Sequence, residues 1–251
     1  MKSTHSLIKM VMKTIVVLPA YNCSKTIKQT VYEIPSDIVD DIILVDDCSQ
    51  DTTCLLAEEL GITHIYKHQC NLGYGANQKS CYDKALSLGA DIIVMLHPDY
   101  QYNPKLISKI IHEIELGEKI VFASRLMHGF EAVKNGMPIY KYIANRFLTI
   151  FQNILLHKSL SEYHTGYRAY TRDVLLDVSY NDFSDDFIFD NQFILAAFSN
   201  GYSIKELYCP ARYEKDSSSI KLFRSIRYGF GRITGRVERG SFTLTLSQNR
   251  A

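Results

Sequence analysis

The stretch TIVVLPAYN, residues 14–22, decides the fold class. Its first five residues, 14–18, are apolar or β-branched without a break, which predicts a strand covered on both faces. The polar segment 19–22 follows this strand directly. Three more runs have the same apolar character: IILV at 42–45, IIVML at 92–96 and IVFA at 120–123. Continuous apolar runs of this length are typical of parallel strands inside an α/β domain.

Helical patterns separate these runs. Asn103 and Pro104 supply an N-cap and a first-turn proline, and Gly117 ends the helix that follows. That helix has one apolar stripe, formed by Leu106, Ile107, Ile110, Ile111 and Ile114. Asp51 is expected to cap another helix, and Ser24 an earlier one. Strands that alternate with helices of this length predict βαβ units and a mostly parallel sheet.

The second half of the chain is organised differently. Residues 138–157 have a long helical pattern, with a stripe formed by Ile139, Ile143, Phe147, Ile150 and Ile154. A segment rich in Tyr, Gly and Asp follows, then a helix near 192–199 and a strand at 204–208. No repeat or linker is evident, so we expect one domain over 1–218. Residues 219–251 form a basic amphipathic C-terminal segment, expected to be helical from Ser219 to Arg239 and not a separate domain.

The composition excludes several classes of protein. The chain has 251 residues, 46% hydrophobic and 22% charged, which is ordinary for a globular protein. A net charge of +1 gives no electrostatic case for nucleic acid as a partner. The six cysteines have no metal-binding spacing, which favours a reduced, cytoplasmic protein. No stretch approaches the roughly 18 apolar residues of a membrane span, so any membrane association is expected to be peripheral.

Polar segments follow three of the predicted strands, and ligands of open parallel sheets bind at the carboxyl ends of the strands. The second of these segments contains Asp46, Asp47 and Ser49, with Asp51 close behind. Carboxylates at a strand end can accept hydrogen bonds from a base or from ribose hydroxyls. The same residues also suit an Asx turn followed by a helix cap, and both interpretations remain open.

The third segment, HPDYQY at 97–102, has the side chains of a cation site. Asp99, with Gln101 two residues later and His97 two residues earlier, suits Mg²⁺ or Mn²⁺ bridging two phosphates. Such a cation neutralises a departing diphosphate. The alternative is a proline turn that leads into the helix after Asn103.

A glycine turn, NLGYG at 71–75, precedes another helical pattern. A glycine turn at a helix N-terminus can bind phosphate. As a dinucleotide fingerprint the motif fails, because Gln78 occupies the third glycine position.

In order and spacing, the segments LPAYNCS, VDDCSQDTT, NLGYGAN and HPDYQYNP resemble the family-2 glycosyltransferases. The segments ASR at 123–125, HTGYRAY at 164–170 and FIFDNQF at 187–193 resemble the dolichyl- or polyprenyl-phosphate sugar synthase branch. The resemblance runs from about residue 14 to 228. It implies the GT-A nucleotide-diphospho-sugar transferase fold, which is α/β and Rossmann-like, with a mostly parallel central sheet and a C-terminal helical elaboration. It also implies metal-assisted, inverting transfer of a hexose from a UDP- or GDP-sugar.

The resemblance assigns roles to residues. It implies that the nucleotide sugar is bound by Pro19, Ala20, Tyr21, Asn22, Asp46, Asp47, Asn71, Gly73 and Arg125. The divalent metal, Mg²⁺ or Mn²⁺, falls to Asp99, His97 and Gln101, and the acceptor to Tyr167, Arg168 and Arg212. Among the carboxylates at 184–190, Asp190 is the first candidate for the general base and Asp186 the second. If the acceptor is already an anion, no base is needed. The same carboxylates could also serve only to cap a helix.

The sequence departs from the family at two sites. His97 stands where the first metal carboxylate is expected, which removes a hard oxygen ligand. Arg212 is kept, but the glycine that usually follows it is lost and the lysine is shifted, so a lipid-phosphate acceptor at a membrane surface stays one alternative among others. A homo-oligomer through the C-terminal segment is a further alternative.

Three rival functions follow from the same residues. A nucleotidyltransferase would need a glycine-rich, basic loop after the first strand, and LPAYNCS has neither feature. The interpretation as an NAD-dependent dehydrogenase is supported only by the glycine turn with Gly73 and Gly75. A sugar-nucleotide-binding protein without turnover is the rival that His97 motivates.

Overall fold

The computed structural model describes residues 12–210 and 212–213, and the backbone of 235–238 and 241–244. The chain divides into two compact units, Met1–Ser217 and Ser218–Ala251. The first unit has a seven-stranded sheet of order β3-β2-β1-β4-β6-β5-β7. The strands are β1 (Thr14–Ala20), β2 (Asp41–Asp46), β3 (His64–Lys67), β4 (Ile92–Leu96), β5 (Ile120–Ser124), β6 (Tyr167–Thr171) and β7 (Lys205–Tyr208). All neighbours in this sheet are parallel except β6, which is antiparallel to both β4 and β5.

Eight helices accompany the sheet in the described part of the first unit. They are α1 (Ile27–Tyr32), α2 (Thr53–Glu59), α3 (Tyr74–Ser87), α4 (Ile107–Glu115), α5 (Glu131–Lys134), α6 (Ile139–Leu156), α7 (Arg172–Asp177) and α8 (Phe189–Ser199). Asn103 caps the 3₁₀ turn before α4, as predicted, and its side chain accepts a hydrogen bond from the Lys105 amide at 3.1 Å. No described helix is both long enough and apolar enough to cross a bilayer.

Two capping predictions had different outcomes. The residue directly before α2 is Thr52, but the Asp51 carboxylate accepts a hydrogen bond from the Thr53 amide in the first turn, so it binds a free amide of this helix end as a cap would. The prediction for Ser24 was wrong. The residue before α1 is Thr26, and the Ser24 amide instead donates to Asp51. Asp51 therefore ties the segment before α1 to the start of α2.

The core lies on both faces of the sheet, which is why its central strands are apolar throughout. Ile15 and Val17 of β1 pack in one core cluster, whereas Val16 and Leu18 pack in the other. All four side chains are fully buried. Alternate residues of a strand point to opposite faces, so a strand covered on both sides needs apolar residues at every position. The four predicted strands are confirmed.

Two segments differ from the sequence-based expectation. The sequence pattern predicts no strand at Tyr167–Thr171, yet this segment lies between β4 and β5 in the sheet as β6. In the second unit, Gly235–Glu238 (β8) and Ser241–Leu244 (β9) pair as an antiparallel hairpin. The predicted helix is therefore wrong at 235–238, and residues 219–234 lie outside the described residues. The division at 218 stays a prediction.

Candidate functional site

The candidate site lies at the edge of the sheet where the parallel strands end. Because β6 is antiparallel, it begins at the edge where β4 and β5 end. The three polar segments of the sequence meet there, and a backbone hydrogen bond of 2.8 Å joins the Asp47 amide to the Ala20 carbonyl. His97 contacts the Gly166 backbone just before β6. The common edge predicted for these segments is thus present in the fold.

The tip of β1 is the exposed part of this edge. Pro19 and Ala20 lie within the strand and pair with Val45 and Asp46 of β2. Tyr21 then has 52% of its surface exposed. Asn22 is also exposed and adopts a left-handed backbone with φ 51°. The Asn22 side-chain oxygen accepts from the Gln50 amide at 2.8 Å. This left-handed turn leaves the Tyr21 ring in solvent at the mouth of the site.

The carboxylates of Asp46 and Asp47 both accept hydrogen bonds from other groups of the protein. Asp46 has no exposed surface, and its carboxylate accepts hydrogen bonds from the Ser49 amide and hydroxyl. Asp47 lies 2.8 Å from His68 Nδ1 and accepts from the Leu72 and Gly73 amides at 2.8 and 3.0 Å. In this structure the two carboxylates shape the loops of the site, as the turn interpretation of the sequence describes.

Amides of the glycine turn before α3 also form hydrogen bonds with other parts of the protein. The Gly73 amide points at Asp47, and the Gly75 amide donates to the Asp185 carbonyl at 2.7 Å. A Cβ on Gly75 would lie 2.4 Å from the Ser184 carbonyl oxygen, so only glycine fits there. The side chain of Asn71 donates to the Asp47 carbonyl at 3.3 Å. The turn therefore supports close packing of loops, and the amides of Leu72, Gly73 and Gly75 bind protein oxygens.

His97 is held by its neighbours on two sides. Its ring stacks on Tyr74, with centroids 5.4 Å apart, and Nε2 lies 3.3 Å from the Tyr74 hydroxyl. The ring also fills the space beside Gly166, where an added Cβ would come within 2.3 Å of Cδ2. Burial lowers the pKa of His97, although Asp99 and Asp190 act in the opposite direction. The imidazole is thus favoured in its neutral form.

Asp99 lies two residues beyond His97 and is half-buried. One of its carboxylate oxygens accepts from the Gln101 amide at 3.1 Å, and Gln101 itself is buried. The loop is fixed to α1, because the Thr26 hydroxyl donates to the Pro98 carbonyl at 2.7 Å. No group of three or more His, Cys, Asp or Glu side chains in the described residues could hold a metal.

The donor set at Asp99 fits a cation that shares its coordination with a substrate. Mg²⁺ and similar hard cations are often bound by one or two carboxylates, by waters and by substrate phosphates rather than by a full protein cage. Asp99 supplies such a carboxylate, and Gln101 lies next to it. His97 Nε2 is turned toward Tyr74, so the predicted trio is not assembled as a three-ligand site.

Arg125, which follows β5, is paired with Glu162. The guanidinium forms an ion pair with the Glu162 carboxylate, and the Arg125 amide donates to the same carboxylate at 2.8 Å. It also donates to the His164 carbonyl at 2.9 Å. Burial is the largest single influence and acts to lower the pKa of Arg125, but the charge and hydrogen bond of Glu162 together with Tyr102 and Tyr213 raise the pKa above its usual value. Arg125 therefore joins the end of β5 to the segment that enters β6.

Asp190 is the centre of a buried polar network. Its carboxylate lies 2.8 Å from the Arg168 guanidinium and accepts from Gln78 at 3.1 Å and from the Tyr74 hydroxyl at 2.9 Å. Burial, followed by the charge of Asp190, raises the pKa of Tyr74. The network runs from His97 through Tyr74 to Asp190, so it connects the cation loop to α8. Asp186 is exposed and lies outside it.

The three residues predicted to bind an acceptor differ in position. Tyr167 and Arg168 have no exposed surface, and the Tyr167 hydroxyl donates to the Pro104 carbonyl at 3.2 Å. Both are packing residues of β6 in this structure. Arg212 is 39% exposed, and its guanidinium lies 4.4 Å from the centre of the Tyr100 ring. It forms an ion pair of 3.3 Å with Glu33.

Sequence reasoning missed four residues of this site: Glu33, Tyr74, Gln78 and Glu162. Their partners lie far along the chain; Glu162 is 37 residues from Arg125, and Gln78 is 112 residues from Asp190. No local spacing marks such pairs. The one usable signal was the charge of Arg125 and Arg168, because an arginine in an apolar strand context needs a carboxylate.

The model of the family described as "Glycosyl transferase family 2" matches residues 15–178. The chain belongs to this family. The matched segment contains every site segment from β1 to β6 and ends in the loop after α7. The family assignment makes the chain a glycosyltransferase, as the resemblance implied.

Two curated relatives act on lipid phosphates, by their names. The polyprenol monophosphomannose synthase of Mycolicibacterium smegmatis is 27% identical over 203 residues, which cover 78% of this chain and 76% of the relative. A UDP-N-acetylglucosamine–dolichyl-phosphate N-acetylglucosaminyltransferase of Methanococcus voltae is 32% identical over 176 residues, covering 63% of this chain and 69% of the relative.

The fold is that of the GT-A glycosyltransferases. Glucosyl-3-phosphoglycerate synthase from Mycobacterium tuberculosis, solved with Mn²⁺, UDP and phosphoglyceric acid, superimposes with a TM-score of 0.63. The alignment has 16% sequence identity and covers 88% of this chain and 75% of that one. The predicted fold class is confirmed, and divalent metal use occurs in structural neighbours of this chain.

Proposed function

We propose that this glycosyltransferase moves a hexose from a nucleotide-diphosphate sugar to a polyprenyl phosphate. The proposal is based on the contacts of Asp190, whose carboxylate forms an ion pair with Arg168 and accepts hydrogen bonds from Gln78 and Tyr74. A hydroxyl acceptor needs a free general base, and this carboxylate has three protein partners. A phosphate acceptor needs no base, because its oxygen is already an anion.

Two features of the site are suited to bind the donor. The exposed Tyr21 ring at the tip of β1 offers a surface on which a nucleobase can stack, as in other base–aromatic contacts. Asp99 and the neighbouring Gln101 would hold a divalent cation against the diphosphate. When bound, that cation supplies charge neutralisation for the departing nucleoside diphosphate.

The reaction is a direct displacement at the anomeric carbon. A phosphate oxygen of the acceptor forms a bond to that carbon while the bond from the carbon to the diphosphate oxygen breaks. The nucleoside diphosphate leaves with the bonding electrons, and the configuration of the sugar inverts. Arg212, whose side chain is 39% exposed and lies beside Tyr100, is the residue that we assign to the acceptor phosphate. Guanidinium groups match phosphate oxygens with paired hydrogen bonds.

Two measurements test the proposal. UDP-, GDP- and CDP-sugars are first compared by thermal shift, with and without Mn²⁺, because a ligand at a hundred times its Kd stabilises by about 2.7 kcal/mol. The stabilising donor is then incubated with a polyprenyl phosphate and, as the matched control, with the same polyprenol lacking the phosphate. We expect product only with the phosphate. Equal product with the free alcohol contradicts a phosphate acceptor, and donor binding without any product favours the protein without turnover.

A further inference from the structure

His97 stands in the cation loop where the resemblance implies a carboxylate, and protein groups contact the Nε2 end of its ring. Nε2 lies 3.3 Å from the Tyr74 hydroxyl, and the two rings stack at an interplanar angle of 19°. Gly166 lies against the same end, because an added Cβ would come within 2.3 Å of Cδ2 and 3.0 Å of Nε2. Tyr74 of α3 and the segment before β6 therefore fix the position of the imidazole together.

The hydrogen bonds of His97 use its nitrogens within the protein. If Nε2 carries the proton, it donates to Tyr74 and has no lone pair; if it does not, its lone pair faces the Tyr74 hydroxyl. The ring also forms a hydrogen bond with the backbone of Pro19, which lacks an N–H and accepts only through its carbonyl. A nitrogen that donates to a carbonyl has no lone pair for a metal. In this arrangement the imidazole is not a metal ligand.

The Tyr74 side chain is itself fixed by two other parts of the fold. Its hydroxyl donates to Asp190 of α8 at 2.9 Å, and Asp190 is paired in turn with the buried Arg168. Its ring stacks on Phe187, in the loop before α8, with centroids 4.6 Å apart. The oxygen that meets His97 Nε2 therefore has a defined place in the site.

The cation loop without His97 offers oxygen atoms. The Asp99 carboxylate lies next to Gln101, whose amide donates to it at 3.1 Å. Oxygen ligands suit Mg²⁺ and Mn²⁺, whereas imidazole suits metals such as Ni²⁺ and Cu²⁺, which also bind a given nitrogen site more tightly than Mn²⁺ does. An imidazole two residues from Asp99 would thus favour the wrong metals if it could reach the cation.

We infer that Tyr74 is a specificity-determining residue, which keeps His97 out of the coordination of the cation and so makes the site selective for Mg²⁺ and Mn²⁺ over metals that prefer imidazole. Gly166 contributes from the other segment, because it leaves the space that the withdrawn ring occupies. Neither residue is a metal ligand; both act by positioning His97. The inference rests on the proposed function, which places a divalent cation at Asp99.

Two variants release the ring in different ways. Tyr74→Phe keeps the ring stack and removes the hydroxyl. Gly166→Ala displaces the imidazole from its space, and the backbone of Gly166 has no positive φ that would disfavour alanine. Each is also combined with His97→Asn. The matched control is Tyr82→Phe, which removes the hydroxyl of another buried tyrosine of α3, a donor to Gln78 at 3.0 Å.

Two measurements on the untagged full chain detect the nitrogen ligand directly. Pulsed electron paramagnetic resonance of Mn²⁺, added with UDP or with GDP, reports whether an imidazole nitrogen is bound to the metal. Calorimetric titrations with Ni²⁺ and with Mg²⁺ give the affinities, each relative to the matching His97→Asn protein. The unfolding midpoint of every variant verifies the fold, and if one releasing variant is unfolded the other decides.

We expect no nitrogen signal from His97 in the wild type or in Tyr82→Phe. Tyr74→Phe and Gly166→Ala should gain the signal and bind Ni²⁺ at least about tenfold more tightly, with Mg²⁺ unchanged, and His97→Asn should remove both gains. The inference is overturned if the wild type already shows a signal that His97→Asn removes, if the folded releasing variants gain nothing, or if Tyr82→Phe gains equally. Absence of Mn²⁺ binding in the wild type with either nucleotide contradicts the cation site of the proposed function instead.

Discussion

The Asp190 carboxylate lies 2.8 Å from the Arg168 guanidinium, and both side chains are shielded from water. The pair joins the first turn of α8 to the central strand β6. Removing one partner of a buried ion pair leaves the other charge without compensation, which is far more costly than the net stabilisation by the pair. Asp190 is a candidate general base by its sequence, and its contacts in the structure hold β6 and Tyr74 in position.

Asp190→Asn is expected to destabilise the protein. The substitution leaves the Arg168 charge buried, at a cost of about 3–5 kcal/mol. For a domain of this size the unfolding midpoint should fall on the order of 10 °C. Thermal denaturation followed by circular dichroism measures it, with Asp186→Asn, an exposed neighbour, as the control. An unchanged midpoint with lost turnover would instead restore the general-base interpretation.

Asp99→Asn is expected to remove metal stimulation while keeping the fold. The asparagine oxygen can still accept from the Gln101 amide, now 3.1 Å from Asp99 Oδ1. The loss of one negative oxygen ligand should reduce metal-dependent turnover at least about a hundredfold. Turnover is measured across a Mn²⁺ titration, and the unfolding midpoint without metal verifies the fold. Wild-type stimulation by Mn²⁺ in the variant would remove Asp99 from the cation site.

His97→Asp is expected to make stability depend on metal. The ring fills the space against Gly166, so the smaller side chain leaves a cavity, and a new carboxylate joins the charges of Asp99 and Asp190. The unfolding midpoint should fall without metal and recover on adding Mn²⁺. His97→Asn leaves a similar cavity without the charge and serves as the control. If both variants respond alike to Mn²⁺, position 97 does not face the cation.

Asp47→Ala is expected to weaken donor binding by loosening a loop. The carboxylate accepts from the Leu72 and Gly73 amides and contacts His68. Each charge-assisted hydrogen bond stabilises by roughly 1.5–3 kcal/mol, so the unfolding midpoint and the donor affinity should fall together. Asp47→Asn, which keeps one acceptor oxygen, should be intermediate in both. A weaker donor affinity at an unchanged midpoint would mean that Asp47 touches the nucleotide directly.

Much of the fold could be predicted because its signals are local. The apolar runs at 14–18, 42–45, 92–96 and 120–123 are strands, and the polar residues after three of them share one edge. A strand buried on both faces must be apolar throughout, and parallel strands must end together, so these features follow from short stretches of sequence. The glycines of 71–75 were recognised for the same reason, and in this structure they allow close packing of loops.

The remaining features depend on residues that are distant in the chain. Tyr167–Thr171 did not suggest a central strand, because Arg168 tolerates burial only with Asp190 beside it. The resemblance assigns Arg125 to a diphosphate, but no local pattern predicts its partner in the structure, Glu162, which is 37 residues away. The period of α6 shows that its apolar residues share one face. Only the packing of its polar side chains against α8 and the segment before β6 turns that face to the solvent, because a period fixes which residues lie together and not what they meet.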